Sequence, residues 1–250
     1  GLTFLEKILS FSFRFFDQHY NIYIEAKDYI QNNKVEFVIT TGEPFVLFRY
    51  GCMIQNEFGI KWIADYRDGW YLNHTTGIQK NLFTKIMRRI ELHHEKRLVT
   101  KATQITTIDP FLAGGLSKLL NKKVDVVYNG FWKYYEPIEK PKIKSDKLIF
   151  NHTGTLTTGQ NIEILLNAIL ELYLDEKINE RNFELNLIGL EYFPEQMKRL
   201  IPYNTILNKV VFTTPRLPKE RAVQMNLQAD YLVNFTEPNY CAIYAKTYNY

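Results

Sequence analysis

The chain has 250 residues, 46% hydrophobic and 23% charged, enough apolar material for one large or two modest cores and too much for a disordered tail. Lys and Arg (31) against Asp and Glu (27) leave a net charge of +4, too slight a bias for a nucleic-acid binder. Cys52 and Cys241 lie too far apart for a Cys-based zinc pair, and no apolar stretch reaches the roughly 18 to 20 residues that a membrane span needs.

Apolar residues recur at helical spacing through Leu5, Ile8, Leu9, Phe13 and Phe16, and again through Ile22, Ile24 and Ile30. A β-branched and aromatic run over 35–40 then predicts a strand, and Thr41-Gly42-Glu43-Pro44 ends it. Residues 45–58 predict a buried helix stopped by Gly59, and 61–66 a second strand. A polar loop over 68–77 leads into a long amphipathic helix at 79–101, a strand at 104–108, a helix at 110–120 opened by Pro110, and a strand at 124–128. Asn-Gly, two prolines and a dense run of lysines and glutamates then break the pattern. Beyond the break come strands at 148–150, 183–188, 209–212 and 231–233, with helices at 162–174, 194–201 and 219–228 between them.

Strands separated by helices imply parallel α/β sheets. The expected architecture is two Rossmann-like, doubly wound domains facing a cleft: 1–130, a linker over 131–147, and 148–250. The opening on Gly1 and the close without a helix stop are read as a piece of a longer protein, with both domains partial. Ligands of such sheets bind beyond the carboxyl ends of strands, so the informative residues are those just after each strand.

In order, those segments are Ile39-Thr40-Thr41-Gly42-Glu43-Pro44-Phe45, Trp62-Ile63-Ala64-Asp65-Tyr66-Arg67-Asp68-Gly69-Trp70, Val126-Val127-Tyr128-Asn129-Gly130-Phe131 and Asn151-His152-Thr153-Gly154-Thr155-Leu156. Together they resemble bacterial glycosyltransferases of family four, over about residues 37–250. The closing Ala245-Lys246-Thr247-Tyr248-Asn249-Tyr250 resembles the Lys-Leu-Phe-Glu-Tyr segment of one subgroup. The resemblance implies a GT-B arrangement and a retaining, metal-independent transfer from a nucleotide-diphosphate sugar to a glycan or lipid-linked acceptor. The setting implied is cell-surface polysaccharide assembly, in the cytoplasm, with no cofactor.

Each residue carries its own expectation. Gly154 and Thr155 let backbone N–H groups approach a diphosphate, and the helix opening near Asn161 adds its positive end. By resemblance, the backbone of Arg216 and Leu217 meets the base, and Lys246 balances phosphate charge. Cys241 and Asn249 stand where many relatives carry a pair of glutamates, the second on ribose hydroxyls; Asn249 can bond a diol but without a carboxylate's charge.

In the first half, Asp65, Arg67 and Asp68 form the strongest constellation, and an ion-pair network is its plainer reading. Asp68 and Arg67 are assigned to catalysis, and Gly42, Glu43, Asp65 and Trp70 to the acceptor. His93, His94 and Glu95 invite a metal reading, but adjacent helical residues diverge by ~100°; a solvated helix face is expected instead. The aromatic opening to Phe16, with Lys7 and Arg14, is read as a capping helix, with peripheral contact on the inner face of the plasma membrane as the alternative. The competing functions are a catalytically weakened nucleotide- or sugar-binding homologue and a nucleotide-sugar epimerase.

Overall fold

The computed structural model describes residues 17–72, 82–130 and 146–236. These fall into two compact units, 17–129 and 130–236, the second described from residue 146 onward apart from Gly130.

The first unit runs α1 (Tyr20–Asn32), β1 (Phe37–Gly42), α2 (Val46–Phe58), β2 (Lys61–Tyr66), α3 (Leu82–Val99), β3 (Gln104–Thr107), α4 (Pro110–Leu120) and β4 (Asp125–Val126). The helix ends follow local chemistry. Gly59, at φ 68°, caps α2 in the left-handed region, and its N–H returns to the Gln55 carbonyl. Pro110 opens α4 behind Asp109, whose side chain accepts the Leu112 N–H at 2.8 Å.

The four strands are parallel in the order β1-β2-β3-β4, with Phe37 beside Lys61, Ile63 beside Gln104 and Thr106 beside Asp125. Right-handed crossovers that step the same way each time put their helices on one face. That face carries Trp62, Ala64, Tyr66 and Ile105, packed with Phe48 and Ile54 of α2, Leu98 and Val99 of α3 and Leu116 of α4. On the other face Phe37 and Ile39 remain exposed. This is half of a doubly wound sheet, since the reversal of winding is absent among the described residues.

The second unit runs β5 (Leu148–Thr153), α5 (Ile162–Leu174), β6 (Phe183–Ile188), a 3-10 turn at Leu190–Tyr192, α6 (Pro194–Lys198), a second 3-10 turn at Ile201–Tyr203, β7 (Val211–Thr214), α7 (Lys219–Gln228) and β8 (Tyr231–Leu232). All four strands are parallel, in the order β7-β6-β5-β8. The winding reverses at β5, so α5 and α7 cover opposite faces. Ile162, Leu166 and Ile169 of α5 pack on Phe183, Leu185 and Leu187 of β6. The α7 face is polar: Asn151 donates to the Met225 carbonyl at 2.8 Å and accepts from Asn186 at 2.9 Å, while the Thr153 hydroxyl donates to Asn226 at 2.8 Å.

Several boundaries differ from the sequence expectation. The strand expected at 124–128 is confined to Asp125–Val126, and Val127 and Tyr128 are exposed beyond the end of β3. The helix expected at 194–201 stops at Lys198, because a 3-10 turn carrying Pro202 takes over at Ile201. The expected opening helix to Phe16 lies outside the described residues.

Candidate functional site

Both sheets present their strand-to-helix loops at the carboxyl ends of parallel strands, and each loop set is built differently. In the second unit the winding reverses between β5 and β8, the place in an open α/β sheet where ligands bind. Gly154, at φ 110°, follows β5, and Gly189, at φ 89°, follows β6. A Cβ built on Gly189 would lie 3.7 Å from the Gly154 Cα, so two backbones meet here with no side chain between them. Gly154 N–H donates to the Ile188 carbonyl at 2.7 Å, and Gly189 N–H to the Thr214 carbonyl at 3.1 Å.

Thr155 is half-buried just after Gly154. Asn161 sits at the N-cap position of α5, exposed, and its side chain makes no capping bond. The loop between them is braced by Gln160, which is buried. Its Oε1 accepts the Thr157 N–H at 2.9 Å and its Nε2 donates to the Phe235 carbonyl at 2.6 Å, tying the loop after β5 to the one after β8. His152 adds a second tie, with Nδ1 2.9 Å from the Val233 carbonyl and its ring 4.9 Å from that of Phe235. A short distance along the same edge, the Arg216 guanidinium lies 5.5 Å over the exposed Tyr192 ring. Glu191 accepts the Thr213 hydroxyl at 2.7 Å, and Leu217 is half-buried. Lys246, Asn249 and Cys241 lie outside the described residues.

In the first unit, Asp65 is buried and already engaged. It accepts the Thr106 hydroxyl at 2.7 Å, the Thr41 hydroxyl at 3.3 Å and Arg67 Nε at 3.0 Å. Arg67 Nη1 continues to Asn129 Oδ1 at 2.6 Å, linking the loop after β2 to the chain leaving β4. Gly42 is demanded by close approach, since a Cβ there would stand 2.5 Å from the Phe45 ring. Trp70 is in the core, its ring stacked on Phe45 at 5.1 Å and 3°. Asp68 and Glu43 reach solvent. The protein around Asp68 still displaces enough of its hydration to raise that carboxyl above the usual aspartate value.

The His93-His94-Glu95 expectation is corrected. His94 and Glu95 face inward from α3, not into solvent, and only His93 is exposed. The helix turns this edge toward the core because Glu95 finds partners there: Tyr66 donates its hydroxyl at 2.9 Å and Tyr71 its N–H at 3.0 Å. Arg88, two turns earlier, donates to the Tyr71 carbonyl, so both backbone groups of Tyr71 are held by α3. No cluster of three metal-ligating side chains occurs among the described residues.

Residues missed by sequence reasoning are Arg199 and Tyr192, together with the inward roles of Glu95 and Tyr66 and the bond of Asn129 to Arg67. Their partners lie on other elements, and no local spacing marks them.

No protein-family model matches the chain, and no curated protein matches it. Solved structures do. Sucrose-phosphate synthase from Thermosynechococcus elongatus superposes with a TM-score of 0.58 at 13% identity, over 84% of this chain and 53% of that one. A glycosyltransferase from Rickettsia africae ESF-5 gives 0.55 at 15% identity, over 85% and 54%. The fold is of the GT-B glycosyltransferase type. The chain spans about half the length of these solved structures. None of the helices among the described residues is long and apolar enough to cross a membrane.

Proposed function

We propose that this polypeptide is part of a retaining glycosyltransferase that moves a sugar from a nucleotide-diphosphate donor to a glycan or lipid-linked acceptor. The observation that carries the reading is the apposed glycine pair, Gly154 and Gly189, beside the winding reversal of a GT-B-type second unit. Backbone without side chains lets a diphosphate come close, and the N-terminus of α5 favours its charge. In this reading the 153–161 loop takes the diphosphate, and the base lies by Arg216, Leu217 and the exposed Tyr192 ring, which offers a stacking face. Lys246 supplies a donor-site cation and Asn249 a ribose contact.

Departure of the diphosphate builds negative charge on phosphate oxygens and positive charge on the sugar. Arg216 and Lys246 answer the first, and the Asp68 carboxylate answers the second or contacts the acceptor. Asp65 has its oxygens committed to Thr41, Thr106 and Arg67, and its part is to orient Arg67. Glu43 and the Gly42 backbone face the acceptor, in cytoplasmic assembly of cell-surface polysaccharide, without a metal or cofactor. A catalytically weakened homologue that binds without transferring is the second reading, favoured by Cys241 and Asn249 in place of carboxylates.

The test is a thermal-shift panel of UDP, GDP, ADP and their sugars on the full-length polypeptide, with Lys246→Ala beside it. Selective stabilisation by one nucleotide, lost in the variant, is expected. No shift with any nucleotide would defeat the donor-site reading, and binding without sugar release or transfer would favour the weakened homologue.

A further inference from the structure

Arg199 caps the carboxyl end of α6, yet four of its five side-chain bonds go to the loop after β5 and to the first turn of α5 that follows it. Nε and Nη2 grip the two Glu163 oxygens at 2.6 Å each. Nη2 also reaches the Gln160 carbonyl at 2.6 Å, and Nη1 reaches the Thr157 carbonyl at 3.2 Å and Gln196 Oε1 at 2.8 Å. A planar fork of donors is the side chain suited to holding a carboxylate and two carbonyls at once.

Two consequences follow from elementary geometry. In a trans peptide the N–H of the next residue points opposite to the carbonyl. With the carbonyls of Thr157 and Gln160 drawn toward Arg199, the N–H groups of Thr158 and Asn161 are directed away from it. The positive ends of two loop peptides are thereby turned away from Arg199, at two residues that are exposed to solvent, as a backbone anion site requires. The second consequence concerns charge. Glu163 lies in the first turn of α5, where an uncompensated carboxylate would repel a phosphate. Arg199 holds that carboxyl below the usual glutamate range and pairs its charge.

We propose that Arg199 is the positioning residue of the diphosphate subsite: it presets the 153–161 loop with its peptide N–H groups facing outward and cancels the Glu163 charge at the helix entrance. The proposal rests on the donor-site reading above. Arg199 touches no ligand in this role; Gln160, braced to Phe235, carries the preset geometry across to the loop after β8.

The experiment measures, by calorimetric titration of the full-length polypeptide, the affinity for the best of UDP, GDP and ADP and for its parent nucleoside, in wild type, Arg199→Gln and Arg199→Lys. The ratio of diphosphate to nucleoside affinity is expected to fall about tenfold in Arg199→Gln, with nucleoside affinity kept within about twofold and part of the ratio recovered in Arg199→Lys. Amide exchange over 154–163 should quicken in Arg199→Gln while β6 and β7 keep their protection. If Arg199→Gln does not fold, Arg199→Lys, which keeps the charge but not the planar fork, should lower the ratio by a smaller factor. An unchanged ratio, or equal weakening of nucleoside and diphosphate, overturns the positioning role while leaving the donor site standing. A wild type that binds none of the nucleotides overturns the donor-site reading and this role with it.

Discussion

Replacing Glu95 with glutamine is expected to stabilise the protein at pH 8 and to change little at pH 4. Glu95 is fully buried on α3, and that burial pushes its carboxyl from 4.5 to about 7; the Tyr66 hydroxyl and Tyr71 N–H offset part of the cost, Glu91 adds to it and Arg88 relieves it. At ~1.36 kcal/mol for each pH unit, a rise from 4.5 to about 7 corresponds to about 3 kcal/mol. The folded-state value is raised, so between pH 4.5 and 7 the unfolded chain releases a proton that the folded chain keeps. Stability therefore falls as pH rises through that window, and the whole loss is present above 7. Glutamine has no proton to lose, its carbonyl can accept the Tyr71 N–H, and its amide can donate to the Tyr66 oxygen.

His94, the adjacent residue, titrates with the opposite sign. Burial and Arg97 lower it from 6.5 to about 4, so below 6.5 the unfolded chain binds a proton that the folded chain refuses. That slope raises stability with pH between 4 and 6.5 and opposes the Glu95 slope over most of its range. Wild type is thus expected to be nearly flat from pH 4.5 to 6.5 in its contribution from this pair, and Glu95→Gln to show the uncovered His94 rise. Denaturant midpoints from pH 4 to 8, followed by the fluorescence of buried Trp62 and Trp70, measure this in the first unit. Parallel wild-type and Glu95→Gln curves across the range would refute the reasoning.

The other expectations concern packing and access. A Cβ at Gly51 would fall 2.1 Å from Trp62 Nε1, which is committed to the Thr40 hydroxyl at 2.7 Å, so Gly51→Ala should cost about 3 kcal/mol in a denaturant titration. Asp65→Ala leaves the Thr41 and Thr106 hydroxyls without their acceptor and should cost about 3 kcal/mol, little of it from half-exposed Arg67. Gly189→Ala should cost about 1 to 2 kcal/mol through its φ of 89° and should weaken nucleotide binding, both readable in one thermal-shift series. The Cys52 thiol is buried and its ionisation is pushed up by desolvation, so mapped alkylation should reach Cys52 only after denaturation.

What the sequence made legible was what local chemistry specifies. Gly59 ending α2 and Pro110 behind Asp109 opening α4 are decided within a few residues, and both helix boundaries match the expected positions. The run 61–66 is likewise legible as a strand, and the structure turns its Trp62, Ala64 and Tyr66 into the core. Illegible features depend on partners far along the chain. Val127 and Tyr128 have strand-forming side chains, but β3 ends at Thr107, whose carbonyl accepts the Val127 N–H at 2.8 Å where the strand stops. Glu95 reads as a surface residue on α3 until Tyr66 and Tyr71 are brought to it, and Arg199 reads as one more solvated cation until the β5–α5 loop folds onto it.

The same division explains the candidate sites. The rule that ligands meet parallel sheets beyond strand carboxyl ends picks out segments, not roles. Within Asp65 to Trp70 the residue types are those of a binding site, yet Asp65 is held by two threonines and Arg67, Arg67 by Asn129, and Trp70 by Phe45. Asp65 and Trp70 are thereby engaged in the protein's own structure, and Asp68 and Glu43 are presented to solvent beside the half-exposed Arg67. In the second unit the order is reversed: the exposed Asn161 and half-buried Thr155 are unremarkable, while the buried Gln160 and the distant Arg199 fix the loop that carries them. A substitution scan of this protein should therefore separate by readout, with Asp65, Trp70, Gln160 and Arg199 shifting loop protection and Asp68, Glu43 and Arg216 shifting ligand affinity alone.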